Sequence, residues 1–221
     1  MKYHAIIFDM DGTIIDSEQR WNEATLHLLE TKSFLPRDKA LELLPRFKGA
    51  SSYDSCSFMK KAYGLKESVK QLMQEKDDFV FKNFAQLVTF IDGFETFHAQ
   101  ATKLSLKSAI ATNAHKHSLD LIKKHIQLHT FFNEHIYGIE QVQQKAKPLP
   151  DIYLFAAKQL QVDPTLCIAI EDSAHGICAA KAAGMFCIGI NSGNDKHALR
   201  QADIIIDHYD QIALESLLYN Q

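Results

Sequence analysis

Two aspartates, Asp9 and Asp11, stand two residues apart directly after the apolar run Ala5-Ile6-Ile7-Phe8 and just before Gly12-Thr13. A second acidic pair, Glu171-Asp172, follows another apolar run, Cys167 to Ile170. Residues two apart on a strand point to the same side, and Gly12 permits the tight turn by which a chain leaves it. Carboxylates gathered in one place repel unless a cation sits between them. Hard oxygen ligands select Mg²⁺ or Ca²⁺, and a sparse, partly hydrated set favours Mg²⁺. Thr112-Asn113 offers a hydroxyl and an amide, donors suited to a phosphoryl oxygen. Lys147 offers a point charge for a dianionic phosphate, with Pro148 biasing its backbone to an extended form that holds its direction. Each group alone has an ordinary reading as a turn residue or a solvated surface charge; their conjunction serves phosphoryl transfer. No Gly-x-x-x-x-Gly-Lys-Ser/Thr loop is present to hold a nucleotide phosphate. An aspartate can itself attack phosphorus, splitting one hard hydrolysis into two easier steps.

The elements that must position these groups are legible as short apolar runs. Ala5 to Phe8, Ser108 to Ala111, Cys167 to Ile170, Phe186 to Ile190 and Ile204 to Ile206 read as buried strands, with helical patterns between them, which predicts a parallel α/β sheet. Their ends carry Asp9-Met10-Asp11, Thr112-Asn113, Glu171-Asp172, Asn191-Ser192 and Asp207. In an open parallel sheet the carboxyl ends of the strands line the ligand crevice. Asp151 is placed to cap a helix whose Ile152, Phe155, Ala156 and Leu160 form one face, and Ala174 to Ala183 reads as a helix closed by Gly184. About ninety helical residues separate the first two strands, too many for one crossover, so an inserted helical subdomain is expected. It starts near Asp16-Ser17-Glu18, with Ser17 capping a helix that presents Trp21, Thr25, Leu28 and Leu29 on one side. It ends near Leu87 to Ile91, with Asp92-Gly93 as the turn back. The expected fold is therefore α/β: a Rossmann-like parallel-sheet core of residues 1–15 and 88–221 around an α-helical insertion of residues 16–87.

Composition bounds the function. The 221 residues are 46% hydrophobic, with 24 basic and 27 acidic side chains interspersed and a net charge of −3. That suits a compact soluble protein and leaves no basic footprint for nucleic acid. The longest apolar runs, such as Met185 to Ile190, fall far short of the roughly 18 residues a membrane span needs. The apolar stretch at the N-terminus is too short for a signal peptide, so a mature chain starting at Met1 is expected. Cys56, Cys167, Cys178 and Cys187 form no Cys-x-x-Cys pair, and three lie among apolar neighbours, so reduced core thiols in a cytoplasmic protein are expected.

Asp9-Met10-Asp11-Gly12-Thr13, Thr112-Asn113, Lys147-Pro148 and Glu171-Asp172 resemble, in order and spacing, the four motifs of the haloacid dehalogenase superfamily of phosphotransferases. Glu171-Asp172-Ser173 through Gly176-Ile177 and Ala179-Ala180 to Ala183-Gly184-Met185 is similar to the subgroup containing β-phosphoglucomutase and sugar-phosphate phosphatases. The resemblance implies that Asp9 is the nucleophile and a Mg²⁺ ligand. It implies that Asp11 is the general acid and then the general base, its backbone carbonyl on the metal. Thr112, Asn113 and Lys147 would hold the phosphoryl group and offset its charge. Asp172 would bind the metal, with Glu171 either a direct ligand or the holder of a metal-bound water. The family's dehalogenases lack the second aspartate of the first motif, so Asp11 argues for phosphate chemistry.

The insertion resembles the family's helical cap, which closes over the crevice and contacts substrate. Phe47-Lys48-Gly49-Ala50-Ser51-Ser52 is similar to the cap loop of β-phosphoglucomutase, which has an arginine where this chain has Ser52. Ile15 to Trp21 is similar to hexitol and deoxysugar phosphate phosphatases, which have a tryptophan at that point, where mutases place a histidine. Trp21 is either a packing aromatic or a substrate contact. Lys48 and Lys76 could reach the crevice, although a solvated surface position is the default for both. His115 and His117 lack further ligand spacing and are read as solvated, with no site assigned. The expected protein is a monomeric Mg²⁺-dependent phosphatase acting on a small phosphorylated metabolite, a sugar or sugar-alcohol phosphate, through an aspartyl-phosphate. A phosphomutase, needing a second phosphate clamp, is the alternative. A signalling receiver or inactive binding module is disfavoured by the ninety-residue insertion and by the presence of Asp9, Asp11 and Lys147 together.

Overall fold

A computed structural model of the chain describes residues 1–82, 88–193 and 195–219. Strands β1 (Ala5–Phe8), β2 (Lys107–Ala111), β3 (Ile136–Tyr137), β4 (Cys167–Glu171), β5 (Phe186–Ile190) and β6 (Ile204–Ile206) form one sheet in the order β3-β2-β1-β4-β5-β6. Every pairing is parallel. Helices α1 (Glu18–Lys32), α2 (Arg37–Leu43), α3 (Ser52–Tyr63) and α4 (Val69–Phe81) lie between β1 and β2, and α5 (Phe94–Lys103) leads into β2. Beyond β2 come α6 (Lys116–His125) and α7 (His129–Phe132), then α8 (Asp151–Leu160) before β4, α9 (Ala174–Ala182) before β5 and α10 (Leu214–Tyr219) after β6. Among the described residues no helix is long and apolar enough to cross a membrane.

Strand alternation makes two cores from one sheet. Ile6, Phe8, Ile110, Ile168 and Ile170 face one side, against Phe94, Phe97 and Phe132. Ala5, Ile7, Ala109, Ala111 and Ala169 face the other, against Ile152, Tyr153 and Ala156 of α8 and Ala180 of α9. The small side chains there let α8 and α9 approach closely, and both faces are covered, as a parallel sheet requires. The inserted helices bury a third cluster of their own, including Leu26, Leu28, Leu29, Met59 and Leu72.

Strand order and register position the functional edge. From β1 the chain moves outward to β2 and β3, then crosses back to the other side of β1 as β4. The carboxyl ends flanking that reversal form the crevice of an open α/β sheet. Phe8 is in register with both Ile110 and Ile170, so Asp9, Thr112 and Glu171 emerge together. The two connections to the inserted helices run side by side: the Asp16 amide donates to the Thr89 carbonyl at 2.9 Å, the Ile91 amide to the Ile14 carbonyl at 2.8 Å, and Ile15 bridges Phe90.

Several local expectations need correction. All five expected strands are present, but β3 has only two residues, too few for a periodic signal, and the sequence pattern gave no sign of it. Ser17 occupies the N-cap position of α1 yet caps nothing, because its hydroxyl turns to the Asp11 carboxylate instead. Asp151 is the first residue of α8 rather than its cap, and its carboxylate accepts from Lys145 Nζ at 2.9 Å. Trp21 parts from Leu28 and Leu29: it packs with the sheet core while they enter the cluster of the insertion. Gly184 follows α9 with φ +81, the left-handed conformation expected of a closing glycine. All four cysteines are free, three of them buried. The expected end of the insertion near Leu87 lies outside the described residues.

Phe8 is fully buried and makes edge contacts with Phe94, Phe97 and Phe132. Phe8→Ala is therefore expected to lower unfolding free energy by about 3–5 kcal/mol in equilibrium urea denaturation.

Candidate active site

The centre of the site is a buried ammonium. Lys147 Nζ lies 2.5 Å from Asp9 Oδ1 and 2.6 Å from Glu171 Oε1, and the residue is only 4% exposed. Its peptide bond to Pro148 is cis. The Tyr153 hydroxyl donates to the same Glu171 oxygen at 2.7 Å, and its ring lies 4.9 Å from the ammonium. Ser173 Oγ donates to Glu171 Oε2 at 3.1 Å, so both oxygens of this fully buried carboxylate have partners. Two glycines make room: a Cβ at Gly12 would overlap the Asp172 carboxylate, and one at Gly176 would overlap that of Glu171.

Burial pushes the Asp9 carboxyl well up, with Lys147 pulling it down and Glu171 and Asp172 pushing it further up. Asp172 is pushed up to about 7 by burial and by Glu171, against the pull of Lys48. Burial alone would lower the Lys147 ammonium, but Asp9 and Glu171 outweigh it and hold it above its usual value. Asp9, Glu171 and Asp172 each present an oxygen within 4.8 Å of the others. Three carboxylates thus gather around the Lys147 ammonium, with Lys48 3.7 Å from Asp172, and this all-oxygen set fits a hard divalent cation.

Asp11 sits beside this group. Its Oδ1 accepts from Trp21 Nε1 at 2.9 Å and from the Ser17 hydroxyl. Burial raises its carboxyl, and those two hydrogen bonds oppose the rise. Asn113 joins three parts of the chain: its side-chain carbonyl accepts from the Lys147 amide at 2.9 Å, and its Nδ2 donates to the Gly49 carbonyl at 3.1 Å. The Thr112 hydroxyl accepts from the Ala114 amide at 3.1 Å, which seats the turn after β2.

A cavity of about 140 Å³ lies between the sheet edge and the inserted helices. Asp9, Asp11, Thr112, Asn113, Lys147 and Asp172 line it from below, and Trp21, Lys48, Ser52 and Lys76 from above. Neither lysine is a solvated surface residue. Lys76 is 5% exposed and its ammonium lies 5.6 Å from the Trp21 ring centre. Lys48 Nζ is 3.3 Å from Glu18 and 3.7 Å from Asp172. Lys76 is carried inward by α4, which packs against α1, whereas Lys48 comes from the segment before α3. His115 is also buried, beside Asp77, while His117 is exposed.

Tyr153, Asp77 and Ser118 stand in no motif of the sequence. Tyr153 shares an apolar face with Ala156 and Leu160, so it looked like ordinary packing. A usable signal existed for α4, whose buried face runs Leu72, Lys76-Asp77, Val80: two charges interrupt an apolar stripe.

A family model described as haloacid dehalogenase-like hydrolase matches residues 6–190. The chain is 28% identical over 204 residues to the phosphorylated carbohydrates phosphatase of Thermotoga maritima, covering 91% of this chain and 92% of that one. It is also 28% identical over 222 residues to the β-phosphoglucomutase of Bacillus subtilis, covering 96% and 93%. A crystal structure of β-phosphoglucomutase from Clostridium difficile shares the fold, with a TM-score of 0.81, 23% identity and coverage of 98% and 96%.

Gly176 lies in the first turn of α9, where alanine would otherwise favour the helix by about 1 kcal/mol. Because its Cβ would strike the Glu171 carboxylate, Gly176→Ala is expected to destabilise the fold by about 1–3 kcal/mol in urea denaturation. A neutral or stabilised variant would contradict this packing.

Proposed function

The chain belongs to the haloacid dehalogenase-like hydrolases, and on that premise we propose that it is a Mg²⁺-dependent phosphatase acting on a sugar or sugar-alcohol monophosphate through an aspartyl-phosphate. The observation that carries this is the Asp9–Lys147–Glu171 group at the sheet edge, with Asp11 and Asp172 beside it under a roof of inserted helices. In this reading residues 1–15 and 88–221 are the catalytic core and residues 16–87 the cap.

Asp9 and Asp172, with the backbone carbonyl of Asp11, would hold Mg²⁺, which when bound neutralises phosphoryl oxygens. Both Glu171 oxygens already have partners, Lys147 and Tyr153 on one and Ser173 on the other. That supports a role in orienting Lys147 rather than in direct ligation. Asp9 attacks phosphorus, forming a new O–P bond as the ester O–P bond breaks, and Asp11 gives its proton to the departing alcohol. The Asp11 carboxylate then takes a proton from the water that attacks the aspartyl-phosphate, and phosphate leaves with Asp9 restored. Burial raises the Asp11 carboxyl, which favours its proton-donating form, and Ser17 and Trp21 fix its direction. Thr112 and Asn113 hold the phosphoryl group while Lys147 offsets its charge. A roofed site excludes bulk water and strengthens these interactions.

The charges of the cavity wall favour a monophosphate over the bisphosphate a mutase needs. Lys147 is taken by Asp9 and Glu171, Lys48 by Glu18 and Asp172, and His115 by Asp77. Among the described lining residues Lys76 is the cation without an ion-pair partner, and Ser52 also lines the cavity. One ammonium and hydroxyl donors suit a polyol, and a second phosphate dianion would lack a clamp.

Phosphate release from a panel of sugar and polyol monophosphates with Mg²⁺ tests the reading. Turnover is expected for monophosphates, with little for bisphosphates, and Asp9→Asn is expected to lower it by roughly a thousandfold or more. Undiminished turnover by Asp9→Asn would overturn the assignment of the nucleophile, and efficient conversion of β-glucose 1-phosphate to glucose 6-phosphate with a bisphosphate activator would favour the mutase.

A further inference from the structure

Asp77 is a fully buried carboxylate that the proposed chemistry does not use. It lies on α4, and its Oδ1 accepts a hydrogen bond from Ser118 Oγ at 3.0 Å. Its Oδ2 lies 3.2 Å from Nε2 of His115. Both of these partners come from the start of α6, across the cavity from the cap. His115 is the N-cap of α6, where its Nδ1 accepts from the Ser118 amide at 3.3 Å. With Nδ1 occupied as an acceptor, Nε2 carries the ring proton; it lies 3.3 Å from Ser118 Oγ and faces Asp77 Oδ2 in a charge contact rather than a hydrogen bond. One turn earlier on α4, the Gln74 side chain meets His117 at 3.2 Å. Burial would lower the His115 imidazole, yet Asp77 beside it holds it above its usual value.

A buried carboxylate is tolerated only when paired. Asp77 obtains its pairing from the core, so separating α4 from α6 would strip the carboxylate of these partners. Its neighbour Lys76, one position back on the same helix, points instead into the cavity. That ammonium lies over the Trp21 ring, and no hydrogen bond or ion pair to it occurs among the described residues. Adjacent helical positions thus do two jobs: Asp77 grips the core and Lys76 faces the substrate space.

We infer that Asp77 is a positioning residue: through His115 and Ser118 it clasps the inserted helices onto the core and thereby seats Lys76 over the cavity. The part played by Lys76 rests on the phosphatase reading; the clasp itself does not.

Trp21 is the single tryptophan of the chain and spans the same junction, with its Nε1 on Asp11 and its ring edge-on to Phe81. Its emission and its quenching by acrylamide therefore report closure without any substrate. Asp77→Ala and His115→Ala, which remove the clasp from opposite sides, are each expected to shift the emission to the red and raise quenching severalfold with native far-UV circular dichroism. Asp78→Ala, at an exposed position on the same helix, should match the wild type. If Asp77→Ala does not fold, His115→Ala carries the test. Wild-type emission and quenching in a folded clasp variant would overturn the inference. In the kinetic arm, Asp77→Ala should lower kcat/KM for sorbitol 6-phosphate by about a hundredfold, as a misplaced contact does. Hydrolysis of acetyl phosphate, whose small leaving group has little for the cap to hold, should change little. Equal losses on both substrates would also overturn the positioning role. A wild-type enzyme that hydrolyses neither compound would defeat the phosphatase reading instead, and the fluorescence would still decide the clasp.

Discussion

The structure is organised around one buried ammonium held by two carboxylates. Lys147 arrives from the loop before α8, Asp9 from the end of β1 and Glu171 from the end of β4, and the three meet within 2.6 Å contacts. A buried cation or anion without its partner is strongly unfavourable, so this contact constrains the rest of the sheet edge. It requires β1 and β4 to be adjacent and in register, and it requires α8 to bring Tyr153 beneath the ammonium. It also requires glycine at positions 12 and 176, where a side chain would displace Asp172 or Glu171. The remaining excess of negative charge suits the edge to a hard cation.

The inserted helices complete that edge by a different logic. They carry an apolar cluster of their own, while Trp21, Ala24 and Val80 pack into the core that faces the sheet. Around the cavity the attachment is polar: Trp21 and Ser17 on Asp11, Asn113 on the Gly49 carbonyl, Lys48 near Asp172, and Asp77 on His115 and Ser118. Polar contacts can be exchanged for water at moderate cost, whereas an apolar core cannot be opened cheaply. A roof held in this way suits a site that must admit a polar substrate and then exclude water.

The sheet and its acidic edge were legible because strand, turn and ligand lie next to one another in sequence. Asp9 and Asp11 adjoin β1, Glu171 and Asp172 adjoin β4, and the order of the strands brings them together without reference to side-chain packing. The roof was less legible. Lys76 looks like any surface lysine until α4 is rotated against α1, and only its place within the stripe of Leu72 and Val80 hints otherwise. Ser17 had the right position and type for a helix cap, but a nearby carboxylate is a stronger acceptor for its hydroxyl than any local role provides. Tyr153 illustrates the opposite case: a residue on an apolar helix face that is packed by its ring while its hydroxyl donates to Glu171 at 2.7 Å.

The claim on which this account turns is that Asp9 itself carries the phosphoryl group during turnover. Mixing the enzyme with Mg²⁺ and a hydrolysed monophosphate, stopping the reaction and reducing with borohydride would convert a phosphorylated aspartate to homoserine, which peptide mass spectrometry can locate. Homoserine is expected at position 9, absent without substrate and absent in Asp9→Asn. Continued phosphate release with no modification at Asp9, or modification at another carboxylate, would contradict it.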